Sequence, residues 1–253
     1  TATSTFTIVV KPKLEITTNS PLPWGIVGRS YPATASLSPV KIEAKGGWPP
    51  YTMWKVVLGK LPDGLTLDPD SGIISGTPKL KGSYKFTVQV IDSCGKVAFK
   101  EFIIDIYDPI TLPTPPIPCL TVNKPFSTTL TASGGNGVLT WQIISVSSPA
   151  YTVTPTGVKT ATLAGTPSDS APLAIVVLVT DENDEDEIFI LNYSAFSEVK
   201  ITSGCPPSEW TSGKPIAPLK LTATGGSGGY TWSKYDIVNK PWPSGLDIKS
   251  DQI

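Results

Sequence analysis

The sequence predicts an all-β chain of tandem two-layer sandwiches, and three observations predict it. Motifs recur at a spacing of about 90 residues, strand-length stretches alternate apolar with polar residues, and turn-forming residues separate the stretches. Gly and Pro number 22 and 26 among 253 residues, a composition that favours strands and tight turns over helices.

The recurrence comes first. KIEAKGGWPPYTMWKVV from Lys41 returns as TLTASGGNGVLTWQII from Thr129 and as KLTATGGSGGYTWSKYD from Lys220. The tryptophans fall at Trp54, Trp141 and Trp232, spacings of 87 and 91. SGTP ending at Pro78 returns as AGTP ending at Pro167, a spacing of 89. That offset then maps Tyr84, Phe86, Val88, Val90 and Asp92 onto Leu173, Ile175, Val177, Val179 and Asp181.

Within a unit, GSYKFTVQVID places Tyr84, Phe86, Val88 and Val90 on one face of a strand. KEFIIDI follows with Phe102, Ile104 and Ile106 inward, and STFTIVV repeats that pattern with Phe6, Ile8 and Val10. Residues 1–12 therefore read as the last strand of a preceding repeat, 13–108 as repeat 1, 109–196 as repeat 2 and 197–253 as a truncated repeat 3. Six or seven short strands per unit suit a two-sheet sandwich, with Trp54, Trp141 and Trp232 between the sheets. The alternative for these tryptophans is an exposed sugar-stacking role. LPDGLTLDPDSGIISGTP, from Leu61 to Pro78, reads as a hairpin with its turns. Its carboxylates, Asp63, Asp68 and Asp70, would cap turn amides, with a weak cation held by Asp68 and Asp70 as the alternative.

Composition narrows the function classes. Twenty basic residues against 21 acidic ones leave a net charge of −1, with no electrostatic footprint for nucleic acid. The chain contains no histidine, which removes the commonest general base and metal ligand. No phosphate loop, nucleophile elbow or catalytic metal-ligand set occurs, so no enzyme activity is expected of this stretch. The longest apolar run, Leu173 to Val179, is strand-sized, so no membrane insertion is expected. The N-terminus carries no signal-peptide pattern and is expected to begin mid-protein. Pro113, Pro115, Pro116 and Pro118 would hold the connection between the first two units extended.

Taken together, GGWPPYTMWKVV, LPDGLTLDPDSGIISGTP and the strands to Ile106 resemble the immunoglobulin-like repeats (He_PIG type) of large bacterial surface proteins. These are similar to the cadherin-like domains of dystroglycan. The match covers all of unit 1, whereas unit 2 has the divergent TVTPTGVKTATLAGTP. The resemblance implies tandem immunoglobulin-like or cadherin-like β-sandwiches in an extracellular, surface-displayed array. Family members serve as spacers, adhesive modules and accessory domains, so the fold alone does not fix an activity.

Candidate sites follow from the loops. TDENDEDE, from Thr180 to Glu187, occupies the last hairpin of unit 2 and would face the linker at Asp108. Asp108, Asp181, Asn183, Asp184 and Asp186 are the candidate calcium ligands, an all-oxygen set as at cadherin-type junctions. The alternative is a solvated hairpin whose charges oppose edge-to-edge aggregation. No other cofactor is expected. Cys94, Cys119 and Cys205 are disulfide candidates with unassigned partners; free thiols and bonds between neighbouring subunits are the alternatives. A unit's start and its last hairpin are expected to lie close, which would permit a bridge within one unit. Trp48 and Trp210 fall in loops, where they would contact a ligand or pack on an adjacent unit. Asn192 begins a glycosylation sequon, but inside a strand. The expected partners are neighbouring repeats or subunits of the same protein, with cell-surface glycan or protein in an adhesin. The readings are a stalk, fibre or filament component, an adhesin, or an accessory segment of a surface enzyme.

Overall fold

The computed structural model describes residues 7–33, 39–113, 119–146, 151–203 and 220–233. The assigned elements are all strands. Unit 1 contains β1 (Glu15–Ile16), β2 (Gly25–Ile26), β3 (Val40–Lys41), β4 (Ala44–Lys45), β5 (Thr52–Gly59), β6 (Leu65–Leu67), β7 (Ile73–Gly76), β8 (Gly82–Ile91) and β9 (Val97–Tyr107). A four-stranded sheet of order β2-β9-β8-β5 faces a three-stranded sheet of order β3-β7-β6, and β1 pairs with β4 at one end. The β8–β9 ladder is regular and antiparallel, from Gly82 opposite Ile106 to Ile91 opposite Val97.

The alternation read from the sequence sets this register. Phe86, Val88 and Val90 on β8 and Phe102, Ile104 and Ile106 on β9 all turn into the core, joined by Ile42, Trp54 and Ile74. Phe86 and Phe102 lie directly opposite each other with ring centroids 6.0 Å apart. Burying each contributes about 2–3 kcal/mol. The stretch from Leu61 to Pro78 forms the β6–β7 hairpin, Leu65 opposite Gly76 and Leu67 opposite Ile74. Asp68 closes its turn, accepting from the Ser71 amide at 2.7 Å, the Ser71 hydroxyl at 2.6 Å and the Asp70 amide at 3.2 Å. The Ser71 hydroxyl foremost, with the Ser71 and Asp70 amides, lowers the Asp68 pKa from the ordinary carboxylate value.

Unit 2 repeats the plan with β10 (Leu120–Thr121), β11 (Phe126–Thr131), β12 (Thr140–Val146), β13 (Tyr151–Pro155), β14 (Thr160–Gly165), β15 (Leu173–Thr180), β16 (Asp186–Tyr193) and β17 (Ala195–Phe196). Its sheets run β11-β14-β13 and β12-β15-β16, with β10 parallel to β17. A second, separate core contains Leu130, Leu139, Trp141, Leu163, Ile175, Val177 and Val179. Two immunoglobulin-like sandwiches therefore stand in tandem. Of the third unit, β18 (Lys200–Ile201) pairs with β19 (Ala223–Thr224).

The expectations for Trp232 and Cys119 are adjusted. Trp54 and Trp141 are core residues, 4% and 8% exposed, but Trp232 is only half-buried. Residues 7–12, the described part of the expected leading strand, lie outside any sheet, with Ile8 and Val10 86% exposed. The neighbours expected for that strand are strands of the preceding repeat. Finally, Cys119 sits beside β10, at the end of unit 2 opposite the 181–186 hairpin. Cys119 and the last hairpin of unit 2 are therefore not close.

Candidate functional site at the junction between repeats

Each recurrent Gly-Gly pair forms a seat for the linker that enters its unit. The second glycine's amide donates to a linker carbonyl: Gly47 to Pro12 at 2.7 Å, Gly135 to Asp108 at 2.9 Å and Gly226 to Ser197 at 2.7 Å. The first glycine has positive φ, 73° at Gly46, 77° at Gly134 and 85° at Gly225. A Cβ there would fall 2.1, 1.8 and 2.1 Å from the carbonyl oxygens of Lys13, Pro109 and Glu198. Only glycine lets loop and linker approach this closely. In unit 2, Thr111 and Ser133 continue the contact as an isolated antiparallel bridge.

A buried aspartate pins the same loop to the last hairpin of its unit. Asp92 is 3% exposed and accepts from the amides of Trp48 (3.0 Å), Cys94 (3.0 Å) and Lys96 (2.8 Å). Burial opposes its ionisation, yet those amides together with the Lys96 charge outweigh it and hold the carboxyl below its ordinary pKa. Asp181 is 7% exposed and pins the equivalent loop to the hairpin of unit 2, accepting from the amides of Asn136 (2.7 Å), Asn183 (2.8 Å) and Glu185 (3.1 Å).

The pinned hairpin of unit 2 meets the lower end of unit 1. Arg29 follows β2 and Gly28, whose φ of 79° turns the chain outward. Its Nη1 donates to Glu185 Oε1 and its Nη2 to Glu187 Oε1, so one guanidinium bridges two carboxylates of the next unit. Beside it Lys81 Nζ pairs with Asp108 Oδ2 at 2.7 Å. Tyr107 ends β9 at the same place. Burial first, and then the Asp105 and Asp181 charges, push its hydroxyl upward, while the Asn183 amide works the other way.

The hairpin thus faces the linker, but all of the candidate carboxylates except Asp184 are engaged by protein groups. Asp181 holds three backbone amides, Asp108 holds Lys81, Asp186 accepts from the Thr180 hydroxyl at 2.6 Å, and Asp184 is exposed at the turn with φ of 60°. Asn183 Oδ1 accepts from Asn136 Nδ2 at 3.1 Å. Among the described residues no three His, Cys, Asp or Glu side chains converge as a metal site would need. Arg29 was the residue missed; its only sequence signal is a lone cation after a glycine. Cys94 and Cys119 are exposed free thiols on different units. Trp48 lies at the upper end of unit 1, with Lys11 Nζ 5.1 Å from its ring centroid. Cys205, Trp210, Pro115, Pro116 and Pro118 lie outside the described residues.

The family described as Putative Ig domain (He_PIG) matches residues 13–106. Those residues, unit 1, are similar to that family. No curated protein matches. An endo-fucoidan hydrolase of glycoside hydrolase family 107 is similar at 16% identity and TM-score 0.31, over 73% of this chain and 29% of that one. The I67–I69 I-band fragment of titin is similar at 11% identity and TM-score 0.45, over 87% and 88%. The human desmocollin-1 ectodomain is similar at 12% identity and TM-score 0.33, over 63% and 31%. The chain spans less than a third of the hydrolase's length.

Unit 1 can be laid over the second sandwich through equivalent hydrogen bonds. Gly28 donates to Pro78 as Asn123 donates to Pro167, both donors having positive φ. Arg29 of unit 1 therefore corresponds to Lys124, which lies 3.9 Å from Glu198 of the next linker. Lys124 lines a cleft of ≈380 Å³ with Cys119, Phe196, Gly226 and Tyr230. By the same overlay Lys96 of the unit 1 hairpin corresponds to Glu185, and Cys94 to Asn183.

Proposed function

We propose that the chain is a length of an extracellular, surface-displayed array of immunoglobulin-like repeats, acting as a stalk, fibre or filament component. The carrying observation is the linker seat, formed three times in one chain by Gly46–Gly47, Gly134–Gly135 and Gly225–Gly226. A seat at each entry sets how every unit meets its predecessor, which is what an element of defined length requires. Arg29 adds a second contact between units 1 and 2 and limits their bending. The partners in this reading are the neighbouring repeats themselves. The surface location is part of the same proposal.

The test is the relative orientation of units 1 and 2 in solution. Residual dipolar couplings measured across both sandwiches should fit a single alignment tensor. Two tensors of clearly different magnitude would mean the units move independently and would overturn the proposal.

A further inference from the structure

The outer face of the β12-β15-β16 sheet is aliphatic at its centre. Two adjacent cross-strand pairs, Leu178–Ile188 and Val176–Ile190, make its middle rows, and Ile188 and Ile190 are 58% and 62% exposed. Ile144, the extra residue at the β12 bulge, adds a third exposed side chain, at 44%. β15 turns Ile175, Val177 and Val179 into the core, so its other face would ordinarily be polar. Here both faces are apolar.

The first sandwich shows the same positions in a solvated form. Thr87 and Gln89 stand where unit 2 has Val176 and Leu178, and Glu101 stands where it has Ile190. Of these four positions only that of Ile188 stays apolar, as Phe99. Lys85 Nζ and Glu101 Oε1 form an ion pair across this face at 2.9 Å. The edge strand differs in the same sense. Lys100, on the core side of β9 with Nζ 6.0 Å from the Phe102 ring centroid, corresponds to Phe189 of β16. Inward charges on an edge strand oppose association between chains, and unit 2 lacks this guard.

We infer that two copies of the chain associate through the outer faces of their second sandwiches, with the strands of the two sheets antiparallel. The aliphatic rows offer neither charge nor hydrogen bonds to a sugar or an anionic ligand. What fits them is a second aliphatic sheet face, at the separation of about 10 Å at which sheets pack. The unit 1 face does not qualify, because covering it would desolvate the Lys85–Glu101 pair. The same face of a second copy does qualify, and charge then sets the orientation. The row on one side of the patch is Thr180–Asp186, with Asp184 exposed at the turn beyond it; the row on the other side is Ala174–Asn192. Strands running the same way would bring the two Asp186 carboxylates together. Reversing one copy sets each Asp186 over the other's Asn192, whose carboxamide can donate to it. This contact lies between chains and does not depend on the array reading, which concerns how units meet within one chain.

The experiment is sedimentation equilibrium of the whole chain from micromolar to millimolar loading. A reducing agent keeps Cys94 and Cys119 from linking chains. The parent should show a reversible monomer–dimer equilibrium. The triple variant Val176→Thr, Leu178→Gln, Ile190→Glu installs the unit 1 residues, which the same sheet already accommodates, and should abolish the dimer. Ile190→Glu alone should weaken it roughly ten-fold or more. Melting curves check folding, and the single variant, at an exposed site, keeps the test if the triple variant does not fold. Asn192→Lys should tighten the dimer and Asn192→Asp should weaken it, because each would meet Asp186 of the other copy. A chain that stays monomeric throughout overturns the inference, and so does a dimer that Ile190→Glu leaves unchanged. A dimer that responds equally to Asn192→Lys and Asn192→Asp overturns the antiparallel arrangement.

Discussion

Replacing Asp181 with alanine tests whether one buried carboxylate organises the junction end of unit 2. The side chain accepts from three amides at 2.7, 2.8 and 3.1 Å and is 7% exposed. A hydrogen bond to a charged group contributes about 1.5–3 kcal/mol. The three do not add fully, because the Asn183 and Glu185 amides belong to a surface hairpin and gain water when the carboxylate is lost. A net loss of about 3 kcal/mol follows. For a domain of this size each 1 kcal/mol moves the melting temperature by about 4–8 °C, so unit 2 should melt on the order of 15 °C lower. Calorimetry on the intact chain is the assay, with the unit 1 transition as internal reference. Asp181→Asn should lie between, because its amide nitrogen would face the Asn136 N–H that the carboxylate now accepts. If unit 2 of Asp181→Ala melts within about 2 °C of the parent, the carboxylate is not what holds the loop and hairpin together.

Arg29→Ala removes the one guanidinium shared by Glu185 and Glu187; at 40% exposure the loss should be about 1–2 kcal/mol of coupling between units. Small-angle scattering should then show a broader distribution of maximum dimension, and 1 M salt should do the same to the parent chain; identical profiles would refute the clamp. The lowered pKa of Asp92 makes its contribution fully present above the ordinary aspartate value near 3.9 and lost as pH falls through the lower folded value. Acid titration of unit 1 should therefore steepen below about pH 4, and Asp92→Asn should remove that component; unchanged acid curves would contradict the assignment. Millimolar calcium should leave both melting transitions where they are, because Asp108, Asp181 and Asp186 are already engaged; a rise for the unit 2 transition would show that they rearrange around the ion.

The sandwich was legible in the sequence because its information is local. Alternation from Tyr84 to Val90 fixes which face is buried, and the turn residues from Pro62 to Gly72 fix a hairpin. The two-residue strands β2 and β10 were not legible, since two residues carry no period and their parallel partners lie about 80 positions away. Asp181 was singled out by composition, yet its role depends on which way the carboxylate turns, and a sequence does not record that. The clamp was harder still, because Arg29 and Glu185 are 156 positions apart and their meeting depends on how two finished domains stack. The expected closeness of a unit's start to its hairpin fits residues 12 and 108 but not Cys119, which lies beside β10 at the other end of unit 2.

The hairpins carry opposite charges at equivalent positions, Lys96 in unit 1 and Glu185 in unit 2, while both lower ends present a cation, Arg29 and Lys124. Stacking unit 2 beneath unit 1 joins unlike charges; stacking a copy of unit 1 beneath unit 2 would set Lys96 against Lys124. Recombination that shuffled or duplicated these repeats would keep every linker seat and still create a repulsive joint. The order of the repeats is thus written into the surface charge of their ends, separately from the fold they share.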